Sequence, residues 1–354
     1  MANNQIDFLQ GSTPLIASKG RKQLQTLVLV SILLAIIVVT LGAYTRLTHA
    51  GLGCPDWPGC YGLIDVPETS EQIAAAEQAF PERPVEPQKA WNEMIHRYFA
   101  GALGLLILAI AVISAKSAIN KSEDRLPFAL PMIILSVVIF QAALGMWTVT
   151  LKLMPIVVMG HLLGGFTTLC LLFLLYLRLK NQSTIVGEDR LKKYGRYGLI
   201  GILILTIQIA LGGWTSSNYA ALSCVELPIC QDGWQERITF EESFDIIPPK
   251  RDTYEFGHLS FDQRLTIHVV HRIGALVTLL YLGWLILMVF AKAKTNIFKK
   301  SASMVALLLI VQICLGLSNI WFSLPLAVAV GHNIIAACLM LTLITLTYKL
   351  RRKI

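Results

Sequence analysis

Residues 41–60 read LGAYTRLTHAGLGCPDWPGC and residues 211–230 read LGGWTSSNYAALSCVELPIC. Both stretches open on Leu-Gly and close on a cysteine pair at one spacing, Cys54 with Cys60 and Cys224 with Cys230, and corresponding cysteines lie 170 residues apart. Two further blocks follow in the same order. MIHRYFAGALGLL around His96 matches VVHRIGALVTLL around His271 at an offset of 175. QAALGMWTVTLKLMPIVVMGH, ending on His161, matches QICLGLSNIWFSLPLAVAVGH, ending on His332, at 171. Three blocks in one order at a nearly constant offset describe a duplicated chain.

The duplicated unit is built to cross a membrane. An apolar content of 55%, a charged content of 15% and a mean hydropathy of +0.62 exceed what a soluble domain carries and suit an integral membrane protein. Runs of about 20 residues, enough to span a bilayer, fall near 24–45, 93–115, 127–150, 156–177, 195–217, 265–290, 302–322 and 326–348. The first run is too long for a signal-peptide core and no small-residue cleavage site follows it. The tail before it is not Arg-rich and contains Asp7, unlike a transit peptide. With four spans in each half, both halves enter the membrane from the same side. The expected fold is therefore an all-α integral membrane protein, with eight transmembrane helices in two tandem four-helix bundles. These are parallel, related by an axis along the membrane normal. The expected boundaries are a cytoplasmic tail over 1–23, an amino-terminal half over 24–180, a cytoplasmic linker over 181–194 and a carboxy-terminal half over 195–350.

Charge sorts the loops. Of the 30 Lys and Arg, 20 lie in the tails and in the loops after the second, fourth and sixth spans, from Lys19 through Lys193 to Lys353. These segments, both termini included, are expected to be cytoplasmic. The net charge of +8 thus reports topology, and no nucleic-acid partner is expected. The opposite side carries two long acidic loops, near 47–91 and 218–263, which hold both cysteine pairs in an oxidising compartment. A disulfide closing so short a loop contributes only roughly 2–3 kcal/mol. A staple closing a lid over each site is one reading, and thiol or electron exchange with a partner is the other. Pro55, Pro58 and Pro228 lead us to expect strained, exposed bridges. The staple is preferred for Cys224–Cys230, while both readings stand for Cys54–Cys60. Cys170, Cys314 and Cys338 read as small core residues.

Polar groups inside membrane helices are costly and usually functional. His96, His161, His271 and His332 fall within the first turn or two of even-numbered spans, counted from the outer side, and so at similar depth. Metal or cofactor ligation is the reading taken, with interhelical hydrogen bonding as its alternative. A zinc site needs three or four protein ligands, and each half repeats only two. The Glu93-x-x-His96 pair suits a di-iron site, but that site needs further glutamates in the bundle, and no other acid lies in a span. Heme with two axial histidines needs two facing imidazoles and an apolar cavity, which a four-helix bundle supplies. That implies one heme per half, near the outer surface. Arg97 and Arg272, each directly after a candidate ligand, are placed for heme propionates or for snorkelling to the interface. Gly101, Gly104, Gly160, Gly164 and Gly165 suit close approach of a flat ring or of another helix. Trp147, Trp214 and Trp321 read as an aromatic belt, and His49 and His258 as solvated loop residues.

Laying His96 on His271 sets Glu93 opposite His268. One half therefore has a carboxylate on the ligand's helix face, suited to accepting a proton or stabilising a cation. The alternative is a first-turn acid facing the helix dipole. His268 is left without a role.

The blocks CPDWPGC, EMIHRYFAGALG, GHLLGG, GGWTSSNY, HVVHRIGA and GHNIIAA resemble heme A synthase, the membrane enzyme of the cytochrome oxidase assembly pathway, in its bacterial form with two cysteine pairs. Each motif alone is weak, but their order and spacing over about 25–348 are specific. The resemblance implies oxidation of a ring methyl of heme O to the formyl group of heme A, through a hydroxymethyl intermediate. It implies substrate heme in the amino-terminal half, on His96 and His161, and a heme b cofactor in the carboxy-terminal half, on His271 and His332. The asymmetry above makes Glu93 the catalytic candidate, and the repeated spacing pairs Cys54 with Cys60 and Cys224 with Cys230. The resemblance further implies a bacterial inner membrane, with the heme sites and cysteine pairs toward the periplasm. The partners it implies are heme O, heme A, membrane lipid, heme O synthase and cytochrome oxidase assembly factors. An electron acceptor that the residues do not identify and a homo-oligomer complete the expected partners. Two other functions draw on the same residues. A quinol-linked bis-histidine diheme cytochrome would not need Glu93. A heme-handling transporter fits poorly with long outer loops and no charge at mid-membrane.

Overall fold

A computed structural model describes residues 19–120, 126–180, 188–228 and 230–351. Among them, eight helices are long and apolar enough to cross a membrane: α1 (Lys19–Leu47), α3 (Pro87–Ile119), α4 (Ala129–Thr150), α5 (Pro155–Leu179), α6 (Tyr194–Ser217), α8 (Phe261–Lys292), α9 (Asn296–Trp321) and α10 (Leu326–Arg351). Two short helices, α2 (Ser70–Ala79) and α7 (Phe240–Ser243), lie in the two long loops.

For α3, α5 and α8, local capping chemistry sets where the helix begins. α3 opens on Pro87 and α5 on Pro155, where a missing N–H costs nothing. α8 opens on a capping box: Ser260 Oγ accepts from the Gln263 amide at 3.3 Å and Gln263 Oε1 accepts from the Ser260 amide at 2.7 Å. Both α3 and α8 thereby extend outward beyond the apolar runs that start near 93 and 265. His96 and His271 consequently sit about three turns into their helices. His161 and His332, near the second turn of α5 and α10, lie where the apolar pattern puts them.

Within the amino-terminal bundle α1 packs on α3, α3 on α4, α4 on α5 and α5 back on α1. α6, α8, α9 and α10 close a second ring in the same way, and the two rings meet along α1, α5, α6 and α10. One continuous core joins them, running from Val28, Ile107 and Leu172 to Leu282, Phe298 and Leu343. Lipid offers little hydrophobic drive between helices, so close packing holds them together. Several buried hydroxyls within the spans turn back onto their own helix, as Ser31 does to the Leu27 carbonyl at 2.9 Å, while Thr45 of α1 donates across to the Asn92 carbonyl of α3 at 3.0 Å.

Each long loop folds onto its own bundle around a disulfide. Cys54–Cys60 and Cys224–Cys230 are both formed, with Cα–Cα distances of 4.8 and 5.0 Å. Cys54, Cys60, Tyr61, Val66 and Ala76 pack on Ala90 and Met94 of α3, while Cys224 and Cys230 pack on Leu265 and Val269 of α8. The bridges are therefore buried, and the exposure expected from the neighbouring prolines is not found: Phe80 and Trp91 cover one and Trp234 the other. Cys170 packs against the core as expected, but Cys314 is exposed on the outside of α9. Trp147 and Trp321 are exposed near helix ends as belt residues are, whereas Trp214 is buried, its indole N–H donating to the Ser243 carbonyl at 2.9 Å.

Candidate functional site

Glu93 is buried on α3 and its Oε2 accepts the Cys54 amide at 2.9 Å. Its other oxygen pairs with Arg97, whose Nη1 donates to the carbonyls of Asp56 at 3.0 Å and Gly59 at 2.6 Å. A buried carboxylate is tolerable only with such charge-assisted partners. The carboxy-terminal bundle repeats the arrangement with other chemistry. His268 Nδ1 accepts the Cys224 amide at 3.2 Å, and Arg272 donates to the carbonyls of Cys224 and, at 2.8 Å, Glu226. His268, unassigned from the sequence, is thus the latch residue of its loop, as Glu93 is of the other. Because α3 starts at Pro87, Glu93 is no first-turn acid. Both arginines beside the candidate ligands point to their disulfide loops, and Arg272 retains a buried Nε–H without a partner.

Below the latches lie the histidines. The rings of His96 and His161 stand 6.3 Å apart between centroids at an interplanar angle of 85°. Metal–imidazole bonds of about 2 Å on both sides of one metal would put two axial ring centres about 6 Å apart. All four rings lie with Cε1 against a glycine of the neighbouring helix. A Cβ on Gly42, Gly145, Gly212 or Gly316 would stand 3.0, 3.4, 3.2 or 3.3 Å from Cε1 of His96, His161, His271 or His332 respectively. Nδ1 of His96, His161 and His332 is buried and makes no well-aligned hydrogen bond, with only the Val38, Gln141 and Gln312 backbones beside these rings as acceptors, a condition that native interiors rarely leave unexplained. Such imidazole nitrogens in an apolar, glycine-cradled space are a donor set that heme iron fits. Among the described residues no cluster of three or more His, Cys, Asp or Glu could hold a free metal ion.

Comparison with known proteins decides the family. The family model COX15-CtaA, described as cytochrome oxidase assembly protein, matches residues 25–344. The chain belongs to the COX15-CtaA family. A relative named heme A synthase from Shewanella oneidensis is 45% identical over 331 residues, covering 94% of this chain and 98% of the relative. Proteins of the same name from Bacillus licheniformis and Rickettsia canadensis are each 24% identical. They align over 333 and 338 residues, which are 90% and 89% of this chain and 93% and 94% of theirs.

In this COX15-CtaA member the histidines and cysteines were legible early, and their neighbours were not. The four cradle glycines all follow leucine, at Leu41-Gly42, Leu144-Gly145, Leu211-Gly212 and Leu315-Gly316, a recurrence that was open to view in the sequence. Of the glycines expected to admit a flat ring or another helix, a Cβ on Gly101 would meet nothing within 4 Å, whereas one on Gly164 would collide with Gln141 Nε2, a close approach between helices. One helical turn before each cradle glycine stands Val38, Gln141, Gln208 or Gln312. Gln208 Nε2 lies 3.1 Å from His271 Nδ1 and donates to the His271 carbonyl at 3.1 Å, while Gln312 Nε2 lies 3.1 Å from His332 Nε2.

The same COX15-CtaA fold joins its bundles through residues 170 positions apart. Arg46 Nη2 donates to the Ser216 carbonyl at 2.6 Å, and its guanidinium lies 4.1 Å from the Tyr219 ring centre. His49 stacks on Tyr219 at 5.7 Å and 6°, and also meets Phe256 at 5.4 Å. His49 is exposed, as expected of a loop residue, but partial desolvation, then the Arg46 charge, holds its pKa below the ordinary value. His258 carries a buried, unpartnered Nδ1, and it lines a cavity of about 240 Å³ with Trp214 and Gln263.

Proposed function

We infer that the chain is a heme A synthase, an oxidoreductase that converts heme O to heme A. The observation that carries this is the His96–His161 pair, two facing rings 6.3 Å apart under a latched loop, in a chain whose nearly full-length relative bears that name. Finer assignments follow as part of the same reading. His96 and His161 hold the substrate heme, and His271 and His332 hold a heme b that relays electrons. The amino-terminal half is the substrate half and the carboxy-terminal half the relay. The protein lies in a bacterial inner membrane, with both termini cytoplasmic and the two disulfide loops periplasmic, as the cation distribution favours. Heme O synthase, oxidase assembly factors and further copies of the chain are its partners.

Methyl to formyl is two successive two-electron oxidations through a hydroxymethyl stage: with water as the oxygen source each releases two protons, and the four electrons leave to an external one-electron or two-electron acceptor. Heme iron supplies the one-electron chemistry when bound. The chain's own groups supply position and proton handling. Glu93 is the nearest buried carboxylate on the ligand helix, one turn outward of His96, and receives a proton at Oε1 or Oε2. Arg97 stabilises its charged form between transfers. Arg272 keeps a free buried Nε–H suited to a propionate. The disulfide loops, fastened directly above the ligand helices, exclude water.

Extraction of heme from the purified protein, followed by pyridine absorbance and mass measurement, tests the reading. Heme O, its hydroxymethyl derivative and heme A alongside heme b are expected. Heme b alone, from cells that make heme O, would point to a membrane cytochrome instead.

A further inference from the structure

The two bundles treat their histidines differently. In the carboxy-terminal bundle each candidate ligand ring is met by a side-chain amide, Gln208 on His271 and Gln312 on His332, both at 3.1 Å. Their Oε1 atoms are buried acceptors without a partner. A half-turn of the Gln312 amide exchanges Oε1 and Nε2 without moving the group. With a metal on the opposite ring nitrogen, the ring nitrogen facing the amide carries a proton, and Oε1 is the atom that accepts it. The Gln312 acceptor is then satisfied and His332 is fixed in tautomer and orientation, whereas the Gln208 amide is held the other way round by its bond to the His271 carbonyl.

In the amino-terminal bundle neither ring has this support. The position one turn before Gly42 is Val38, which offers His96 only its backbone. Gln141 holds the equivalent place before Gly145 and its amide lies against Gly164, as that of Gln208 lies against Gly274, but only its backbone is hydrogen-bonded to His161. Polar side chains at this depth are costly, so a valine at 38 where the other bundle has Gln208 is a difference with physical weight.

We propose that Gln312 is a positioning residue that locks His332 of the retained heme, and that the lack of such a hydrogen bond on His161 and of any amide on His96 makes the amino-terminal site the exchangeable one. This rests on the assignment of substrate to the amino-terminal half. An enzyme that must release one heme and keep the other needs two bis-histidine sites of unequal permanence. Removing a group that orients a metal ligand commonly lowers metal affinity about 10- to 100-fold, which is the scale of difference required. An amide oxygen on the ring N–H also pushes electron density toward the iron. It favours the ferric state and lowers the potential.

The test uses the purified full-length protein in detergent, with apomyoglobin as the acceptor for released heme. Gln312→Leu should speed heme b loss by about tenfold or more and raise its midpoint potential. Gln312→Glu should keep the heme and shift the potential downward, a sign reversal that a packing role does not produce. Val38→Gln should slow heme O release from the amino-terminal site without altering heme b. Unchanged release and potential in Gln312→Leu, or potential shifts of one sign in both variants, would overturn the proposal. If Gln312→Leu fails to fold, Val38→Gln with unchanged heme O release would do the same. The half assignment is checked separately: if His96→Ala and not His332→Ala abolishes the retained heme, that assignment has failed, whatever the glutamines do.

Discussion

The Cys54 amide donates to the Glu93 carboxylate at 2.9 Å, so the acid one turn from His96 also fastens the outer disulfide loop. A carboxamide oxygen can take over that hydrogen bond, but it cannot accept a proton at neutral pH. Glu93→Gln should therefore fold and bind heme while oxidation falls about a hundredfold to ten-thousandfold, the usual loss for a general base. Heme O or the hydroxymethyl heme should accumulate in membranes. His268→Gln, the latch counterpart, should affect oxidation less. Normal heme A from Glu93→Gln would remove the residue from catalysis, and equal losses in both variants would reduce it to a latch.

Gly42→Ala brings a Cβ to within 3.0 Å of His96 Cε1, closer than nearly all real contacts, while Gly101→Ala on the next helix meets nothing within 4 Å. The first should lower heme occupancy of the amino-terminal site by about tenfold, as displaced metal-ligand supports do. The second should leave it unchanged. Absorbance per mole of protein after loading with heme O compares them, and equal occupancy would mean that the glycine does not shape the site.

The neutral form of His49 is favoured by partial desolvation and by the Arg46 charge. The folded state therefore binds fewer protons there than the unfolded chain, and stability rises with pH. This contribution is complete above the ordinary imidazole value of about 6.5 and is lost as pH falls below it toward the depressed folded value. His49→Phe keeps the stack on Tyr219 without the titration. Between about pH 7.5 and pH 5, the thermal midpoint in detergent should fall further for the parent than for the variant. Equal falls would mean that the stack is not pH-sensitive.

Lys192 and Lys193 should face the cytoplasm and Asp232 the periplasm, as the loop charges require. A single cysteine at position 232 in a background lacking Cys170, Cys314 and Cys338 should react with an impermeant maleimide added to intact cells. One at position 192 should react only after lysis. Protection of the first would invert the topology.

Much of the fold was legible because bilayer thickness and the positive-inside bias act on long stretches of sequence. The spans, the repeated order and the four histidines all come from such stretches or from single costly residues such as His161. What escaped reading depends on contact between helices. Gln208 and Gln312 are ordinary polar residues until α8 and α10 bring imidazoles to 3.1 Å. The early start of α3 lies in Pro87 and a polar first turn, below the resolution of a hydropathy count. The burial of Cys54–Cys60 depends on Phe80 and Trp91, far from the cysteines in sequence. Nothing in the spacing announced that His268 receives a backbone amide.

Arg46 reaching the carbonyl of Ser216, 170 positions on, bears on how such a chain can arise. Between two identical subunits related by a twofold axis, a patch must be complementary to itself, because the same surface is presented from both sides. An arginine at such a position would face the arginine of its copy, and like charges would repel. Joined in one chain, the two positions are free to differ: one supplies the guanidinium and the other only a carbonyl acceptor. Fusion thus permits a polarised junction that a symmetric dimer of half-length chains would be unable to build. The same release from symmetry admits a carboxylate latch on one side and an imidazole latch on the other.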